Sequence, residues 1–288
     1  MQVVAHESEL GAWCMAFAAP APLLAGIVEQ YVGYHESGTA FLSRREMPGT
    51  SLVLIINLGA ELRITDTLGQ QFCFGMGQGF GAGLSDSYAT SETGGAQEGV
   101  QVFFTPLGAR RLFGLPLGDL FNRVVRLEDL FGAFAAELAE RLLATDDWAA
   151  RFALLDAALL ARLKPRRREA ALAATAWAHL AQSHGGITVS DLAASLDCSR
   201  KHLTHVFHEQ VGLTPKTSAR LFRFRHALSL IDAAPANINR GSIDWCHIAF
   251  DAGYYDQAHL IRDFRAFSGS APGDFLARRL PDNGGYTG

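Results

Sequence analysis

The chain has 288 residues, of which 49% are hydrophobic and 19% charged, and its formal net charge is -4. A chain of this length and composition can bury a sizeable core, and we expect two ordinary domains. No apolar run approaches the roughly 18 to 20 residues of a membrane span, and residues 1–14 lack the basic and apolar regions of a signal peptide, so the expected protein is soluble and cytoplasmic, with no membrane partner.

Four short apolar or alternating segments in the first half are separated by turns that contain glycine. Such spacing predicts an antiparallel sheet closed into a barrel or folded into a sandwich, cupin-like in type. The segments are Ser51–Asn57, Glu61–Thr65, Gln70–Phe74 and Val100–Pro106.

The segment from Gly75 to Gly99 is rich in glycine and serine. It does not match the GxGxxG pattern of a dinucleotide-binding loop, because Phe80, Ala82 or Leu84 stands where a third glycine would fall. We therefore predict turns and a short strand here, and no cofactor.

Two amphipathic helices are predicted after the strands, each with one apolar stripe. The stripes consist of Phe134, Leu138 and Leu142, and of Trp148, Phe152, Leu155, Leu159 and Leu163. One stripe should cover the sheet. The other either pairs with a second copy of the protein, giving a homodimer, or is buried inside the same domain, and the pattern fits both.

The charge changes sign along the chain. From Lys164 onward there are 15 Lys and Arg against 11 Asp and Glu, whereas the preceding residues have 10 against 18. Eight of the ten histidines also lie in the second part, and the basic run KPRRR, residues 164–168, marks the boundary. A basic, histidine-rich part indicates a module for a polyanion.

An internal repeat occupies the second part. Leu192-Ala193 is followed by Leu203, Phe207, Gly212 and Pro215 at intervals that recur after Ile248-Ala249, apart from one inserted residue. Two copies of one supersecondary unit are therefore expected. The second set of positions is Leu260, Phe264, Gly269 and Pro272.

The capping and turn residues of each unit predict two short helices joined by a tight turn. In the first unit, Val189–Leu196 forms the first helix and Ser199 caps the second, Arg200–Val211. In the second unit, residues 242–253 form the first helix, with Gly253 at the turn and Asp256 as the cap of the next. The second helix of each unit has an apolar seam and a polar, cationic outer face, the layout of a DNA-binding helix-turn-helix.

These residues resemble the DNA-binding domain of the AraC/XylS family of bacterial transcription regulators. The likeness covers about Arg168 to Arg279 and is most specific at IA-x3-GY-x-D-x2-H-L-x2-DF-R, residues 248–265. It implies seven helices, in which a long helix bridges two helix-turn-helix subdomains and both recognition helices enter adjacent major grooves. The N-terminal part, through Thr105–Pro116, looks like the sheet-rich domain of one subgroup of the family.

The predicted architecture is thus α+β with two domains. A sheet-rich sensing or dimerisation domain, 1–163, ends in two helices; a basic linker, 164–168, leads to an all-α DNA-binding domain, 169–280, and a flexible tail, 281–288. The implied partner is double-stranded DNA. RNA polymerase is a further partner if the protein activates, and a small-molecule effector and a second copy are candidates for the N-terminal domain.

The resemblance also places the DNA contacts by position. Chemistry suits Arg262 to a guanine edge, Gln257 to an adenine edge and Ile261 to a thymine methyl. The base-contacting positions are Arg200, Lys201, Thr204 and His205 in the first unit, and Gln257, Ala258, His259, Ile261 and Arg262 in the second. The positions suited to phosphate are His208, Lys216, Arg265 and the helix N-termini at Ser199 and Asp256.

Metal binding is the competing interpretation of the histidines. His202, His205 and His208 are spaced by three, and His259 stands four residues before Asp263. Successive steps of three drift around a helix, however, so the three histidines cannot all face one ion. We expect no metal site.

An enzyme is not expected either. The first half has only His6 and His35, without HxH, HExxH or GxSxG, so no catalytic residues are assigned. Cys14, Cys73, Cys198 and Cys246 are scattered and form no CxxC pair, which fits reduced thiols and supplies no zinc domain of a DNA-repair alkyltransferase. An effector-binding domain and a pure interaction module are both consistent with the N-terminal half, because an apolar sheet interior is equally a core or a pocket lining.

Overall fold

The computed structural model describes residues 1–8, 11–38, 43–164, 170–233, 243–279, 286 and 287. Most of the predicted linker, 165–168, and most of the predicted tail, 281–285 and 288, lie outside these residues, as does Ser242 at the predicted start of a helix. The domain boundaries drawn there stay predictions.

The N-terminal part contains two antiparallel sheets. Within the described residues, seven strands form one sheet in the order β1-β2-β3-β10-β5-β8-β11, and four form the other in the order β4-β9-β6-β7, and neither closes on itself. Leu62, Ile64 and Phe74 of the smaller sheet share a buried cluster with Phe80 and Val124 of the larger one. The arrangement is therefore a sandwich of two layers. The strands are β1 Gln2–Ser8, β2 Gly11–Ala18, β3 Val28–Ser37, β4 Ser43–Glu46, β5 Leu52–Asn57, β6 Leu62–Thr65, β7 Gln71–Phe74, β8 Gly79–Ala82, β9 Ala89–Thr93, β10 Ala96–Phe104 and β11 Val124–Arg126.

The glycine-rich segment holds more strand than its composition indicates. Both β8 and β9 lie within 75–99, where one short strand was predicted. A β-carbon on Gly79 would lie 2.6 Å from Leu127 Cδ1, and one on Gly81 would lie 2.8 Å from Leu130 Cδ1. A β-carbon on Gly79 would also collide with the Ile55 carbonyl oxygen of the neighbouring strand β5, so the adjacent backbone leaves no room for a side chain there. The glycines also lack the side chains whose alternation normally identifies a strand.

Four helices belong to the N-terminal part of the described chain. Leu138 and Leu142 of α3 and Phe152, Leu155 and Leu159 of α4 are buried in their own domain. Burial within the chain, one of the two alternatives for these stripes, therefore accounts for these five residues, whereas Phe134, Trp148 and Leu163 of the same stripes are half-buried. The helices are α1 Pro106–Phe113, α2 Leu127–Phe131, α3 Ala133–Leu143 and α4 Trp148–Arg162.

Seven helices follow in the described C-terminal part, the number that the resemblance implied. Phe224 of the long helix packs against Phe264 and Phe267, and Trp177 packs against Phe207 and Phe222. The helices are α5 Ala170–Gln182, α6 Val189–Ser195, α7 Arg200–Val211, α8 Pro215–Ala233, α9 Trp245–Asp251, α10 Gln257–Ser268 and α11 Pro272–Ala277. The predicted α+β architecture is confirmed, and none of the described helices is both long and apolar enough to span a membrane.

Candidate nucleic-acid interface

The first helix-turn-helix consists of α6 and α7. Thr188 caps α6 by accepting a hydrogen bond from Asp191 N, and Ser199 caps α7 by accepting one from His202 N at 3.1 Å. Between them Asp197 has a φ of 49°, a left-handed conformation that Asp tolerates better than most residues. The predicted cap at Ser199 and the predicted bounds of α7 agree with the structure.

The outer face of α7 is exposed toward its N-terminal end. Thr204 is half-buried, and its hydroxyl donates to the Arg200 carbonyl at 2.8 Å. Farther along, the ring of His208 is exposed and lies beside Gly118 of the N-terminal domain. The predicted contact residues that are exposed on this unit are Ser199, Arg200, Lys201 and His205 on α7 or its cap, and Lys216 at the start of α8.

The second helix-turn-helix, α9 and α10, repeats the same geometry. Asp244 caps α9, and Asp256 caps α10 by accepting from His259 N at 2.7 Å. Gly253 has a φ of 78° at the turn, where a side chain would be strained. The turn residue and the cap lie where the sequence predicts them.

The outer face of α10 carries the remaining predicted contacts. Arg262, Arg265 and Ala258 are exposed, as is the capping residue Asp256. Gln257, His259 and Ile261 are half-buried, and the Gln257 side chain accepts a hydrogen bond from the Cys246 thiol at 3.4 Å. The structure therefore brings the predicted residues of this unit onto one helix beside its cap.

Asp263 and His259, the pair considered as metal ligands, each have another partner. Arg220 of α8 donates from Nε and Nη2 to Asp263 Oδ1, at 3.0 and 2.8 Å, and the carboxylate is buried. His259 instead packs edge-on against Tyr254, whose hydroxyl pKa is raised by burial. The ion pair thus ties α10 to the bridging helix, and no group of three potential metal ligands lies together among the described residues.

Two exposed aromatic residues beside α10 were not predicted as contacts. Tyr255 is 93% exposed immediately before the cap of α10, and Phe250 is 78% exposed in α9. The corresponding positions of the first unit hold Cys198 and Ala194, so the fold itself does not require aromatic rings there. Comparing the two repeats position by position could have singled them out.

A histidine pair lies at the junction of the two units. The rings of His184, which follows α5, and His226 of α8 stack at 4.0 Å. Burial, and then the neighbouring His184, lower the pKa of His226 below its ordinary value, while Asp251 of α9 acts in the opposite direction. His247 forms an ion pair with the same Asp251 at 3.2 Å.

Comparisons with known proteins agree with this geometry at the domain level. Residues 192–278, which contain the second unit and all of the first except the start of α6, match the family model described as a helix-turn-helix domain. No curated protein matches the chain.

Similar solved structures include three of ToxT from Vibrio cholerae. One at 1.65 Å resolution is 10% identical, with a TM-score of 0.48, and the match covers 86% of this chain and 97% of that one. An apo ToxT variant with a single lysine-to-alanine substitution is 10% identical, with a TM-score of 0.49 and coverages of 92% and 97%. ToxT bound to an unsaturated fatty acid is 10% identical, with a TM-score of 0.45 and coverages of 82% and 91%.

Proposed function

We propose that this chain, whose residues 192–278 match a helix-turn-helix domain, is a DNA-binding transcription regulator that inserts α7 and α10 into adjacent major grooves of one operator. The observation that carries the proposal is the pair of capped helices with exposed N-terminal halves. Ser199 and Asp256 cap them in the same way, and Arg200, Lys201 and Arg262 remain exposed. Residues in these halves are the ones that a recognition helix presents to base edges.

Two kinds of contact are assigned to these helices. Arg262 and Gln257 of α10, and Arg200, Lys201, Thr204 and His205 of α7, are proposed to read bases, together with Ala258, His259 and Ile261. Arg265 and Lys216, with the helix N-termini at Ser199 and Asp256, are proposed to bind phosphate, which positions the protein without reading sequence. His208, whose exposed ring lies beside Gly118, is also proposed to bind phosphate.

The test is selection of bound fragments from random or genomic DNA with the full chain. The expected result is a site with two half-sites about one helical turn apart, roughly 34 Å. Binding should also weaken steeply as salt is raised, because several phosphates must release counterions. Recovery of no preferred sequence, or binding that is insensitive to salt, would contradict the proposal.

For the N-terminal domain we propose a small-molecule effector as the modulator of DNA binding. The candidate place is a groove of about 310 Å³ on β1, β2 and β3, lined by Trp13, Cys14 and His35 among others. Its volume lies at the lower end of the range for ligand sites, about 300 to 1,000 Å³, so only a compact molecule fits. The test is a screen for metabolites that shift the melting temperature of the wild type. The same metabolites should not shift the melting temperature of Trp13→Ala.

An interaction module without ligand is the alternative for the same domain. The observation in its favour is the outer edge of β1, which pairs only with β2 among the described strands, and where Val3 and Val4 are 53% and 37% exposed. An exposed edge strand can pair with a second chain. Sedimentation of the wild type and of Val3→Lys tests this alternative. A dimer in the wild type that dissociates in Val3→Lys supports pairing through this edge. RNA polymerase remains a proposed partner for the case in which the protein activates.

A further inference from the structure

Both recognition helices are attached to the N-terminal domain at their C-terminal ends. Gly212 follows α7 and Gly269 follows α10, with φ values of 86° and 74°. Gly212 lies against the backbone of Leu117, and Gly269 lies against the ring of Tyr88. The two ends thus contact different parts of the same sheet-rich domain.

The contact at α10 centres on Arg45 of β4. Its Nη1 donates a hydrogen bond to the Ser268 carbonyl at 2.7 Å, and its guanidinium lies 4.5 Å from the centroid of the Tyr88 ring. A cation at this end of a helix is favoured because the last carbonyls lack partners within the helix. Arg45 N also donates to the Tyr286 carbonyl at 2.8 Å, which fixes the strand beneath the guanidinium.

The contact at α7 is formed by close approach of backbones. A β-carbon on Gly212 would lie 2.7 Å from the Leu117 carbonyl oxygen, and one on Gly118 would lie 3.2 Å from His208 Cε1. Leu117 itself is buried in the 3-10 turn Leu117–Leu120, so this part of the N-terminal domain cannot yield easily. α1 packs against α7 as well.

The attached ends are not the reading ends. Arg200, Lys201 and Arg262, in the N-terminal halves of the two helices, stay exposed while the contacts exist. A recognition helix reads bases mainly through those halves, so the attachment and DNA binding are compatible. The contacts are therefore suited to holding the helices in place rather than to blocking them.

We infer that the N-terminal domain sets the separation of the two recognition helices, and that Arg45 is the positioning residue that fixes the second helix and thereby helps to select the half-site spacing. This inference rests on the proposed function. α8 provides a second link, through Arg220 and Asp263, so loss of Arg45 should loosen the spacing without abolishing binding.

The experiment uses the full chain and the operator obtained by selection, with variants of that operator whose half-sites are one base pair closer or farther apart. Arg45→Met keeps the aliphatic stem but removes the charge and the donors. The matched control is Arg63→Met, since Arg63 lies on β6 of the same sheet, is 64% exposed and pairs with Glu61. Dissociation constants are measured for all sites at one salt concentration.

Wild type and Arg63→Met should bind the operators with altered half-site spacing much more weakly than the original operator. In Arg45→Met we expect this discrimination to fall by about tenfold, equivalent to about 1.4 kcal/mol. Amide hydrogen exchange in residues 260–268 of the free protein should be faster in Arg45→Met and unchanged in Arg63→Met. Tyr88→Leu, which leaves Arg45 in place but removes its aromatic support, should shift the spacing profile in the same direction.

Three outcomes separate the possibilities. If wild type, Arg45→Met and Tyr88→Leu discriminate equally between the original operator and the operators of altered spacing, the inference is overturned, provided that wild type binds its operator. Tighter binding of Arg45→Met to every site also overturns it, because the contact would then be inhibitory. A wild type without any preferred operator refutes the proposed function instead.

Discussion

Removal of the Arg220 guanidinium should destabilise the C-terminal domain by leaving a buried charge unpaired. Arg220 donates twice to Asp263 Oδ1, and the Asp263 side chain is only 4% exposed. Breaking a buried ion pair by removing one partner typically costs about 3 to 5 kcal/mol. Because the Arg220 side chain is 32% exposed and water can reach the vacated space, we expect about 2 to 3 kcal/mol for Arg220→Met.

Urea unfolding of the full chain, followed by tryptophan fluorescence, measures this loss. Arg225→Met, an exposed substitution on the same helix, is the control and should change stability by less than about 0.5 kcal/mol. Adding Asp263→Asn to Arg220→Met should restore part of the stability, since the amide removes the unpaired charge. A loss no larger than that of the control, or an absence of recovery in the double variant, would show that this ion pair does not stabilise the domain.

Four further substitutions test the interface and the pH dependence of stability. Arg262→Ala should weaken the operator more than random DNA, by about 1 to 3 kcal/mol in discrimination, whereas Arg265→Ala should weaken both alike and reduce the salt slope by about 1; salt titrations on the two DNAs distinguish them. Tyr255→Ala should lower operator affinity with an unchanged salt slope, because the contact is uncharged, and an unaltered affinity would remove Tyr255 from the interface. The lowered pKa of His226 means that the unfolded chain binds its proton more readily, so its contribution to stability is present above the ordinary value of 6.5 and lost as the pH falls below it. Melting temperatures at pH 7.5 and 5.5 should therefore differ less in His226→Asn than in wild type, and equal differences would contradict the assignment.

Local features of the helix-turn-helix units could be predicted from the sequence. The caps at Ser199 and Asp256 and the turn at Gly253 depend on residues within a few positions of each other. A capping hydroxyl or carboxylate bonds the backbone three residues ahead, whatever the rest of the chain does. For the same reason the predicted bounds of α7 match the observed helix.

Asp263 shows what a local pattern misses. Its spacing from His259 suggested a pair of metal ligands, whereas its partner is Arg220, 43 residues earlier. The strands β8 and β9 stand where only one short strand was predicted, and the glycines of β8 meet the backbone of Ile55 and side chains of helix α2, contacts that a local pattern does not show. In both cases the role of the residue depends on a contact with a group that is distant along the chain.

The helical repeat, its caps, the sheet-rich first half and the charge difference between the halves could all be predicted from the sequence, since each follows from the periodicity or composition of neighbouring residues. Packing of the folded chain places most stripe residues of α3 and α4 in the interior, His208 beside Gly118, and Arg45 at the end of α10. Those contacts join residues up to 223 positions apart, and only packing of the whole chain brings such groups together.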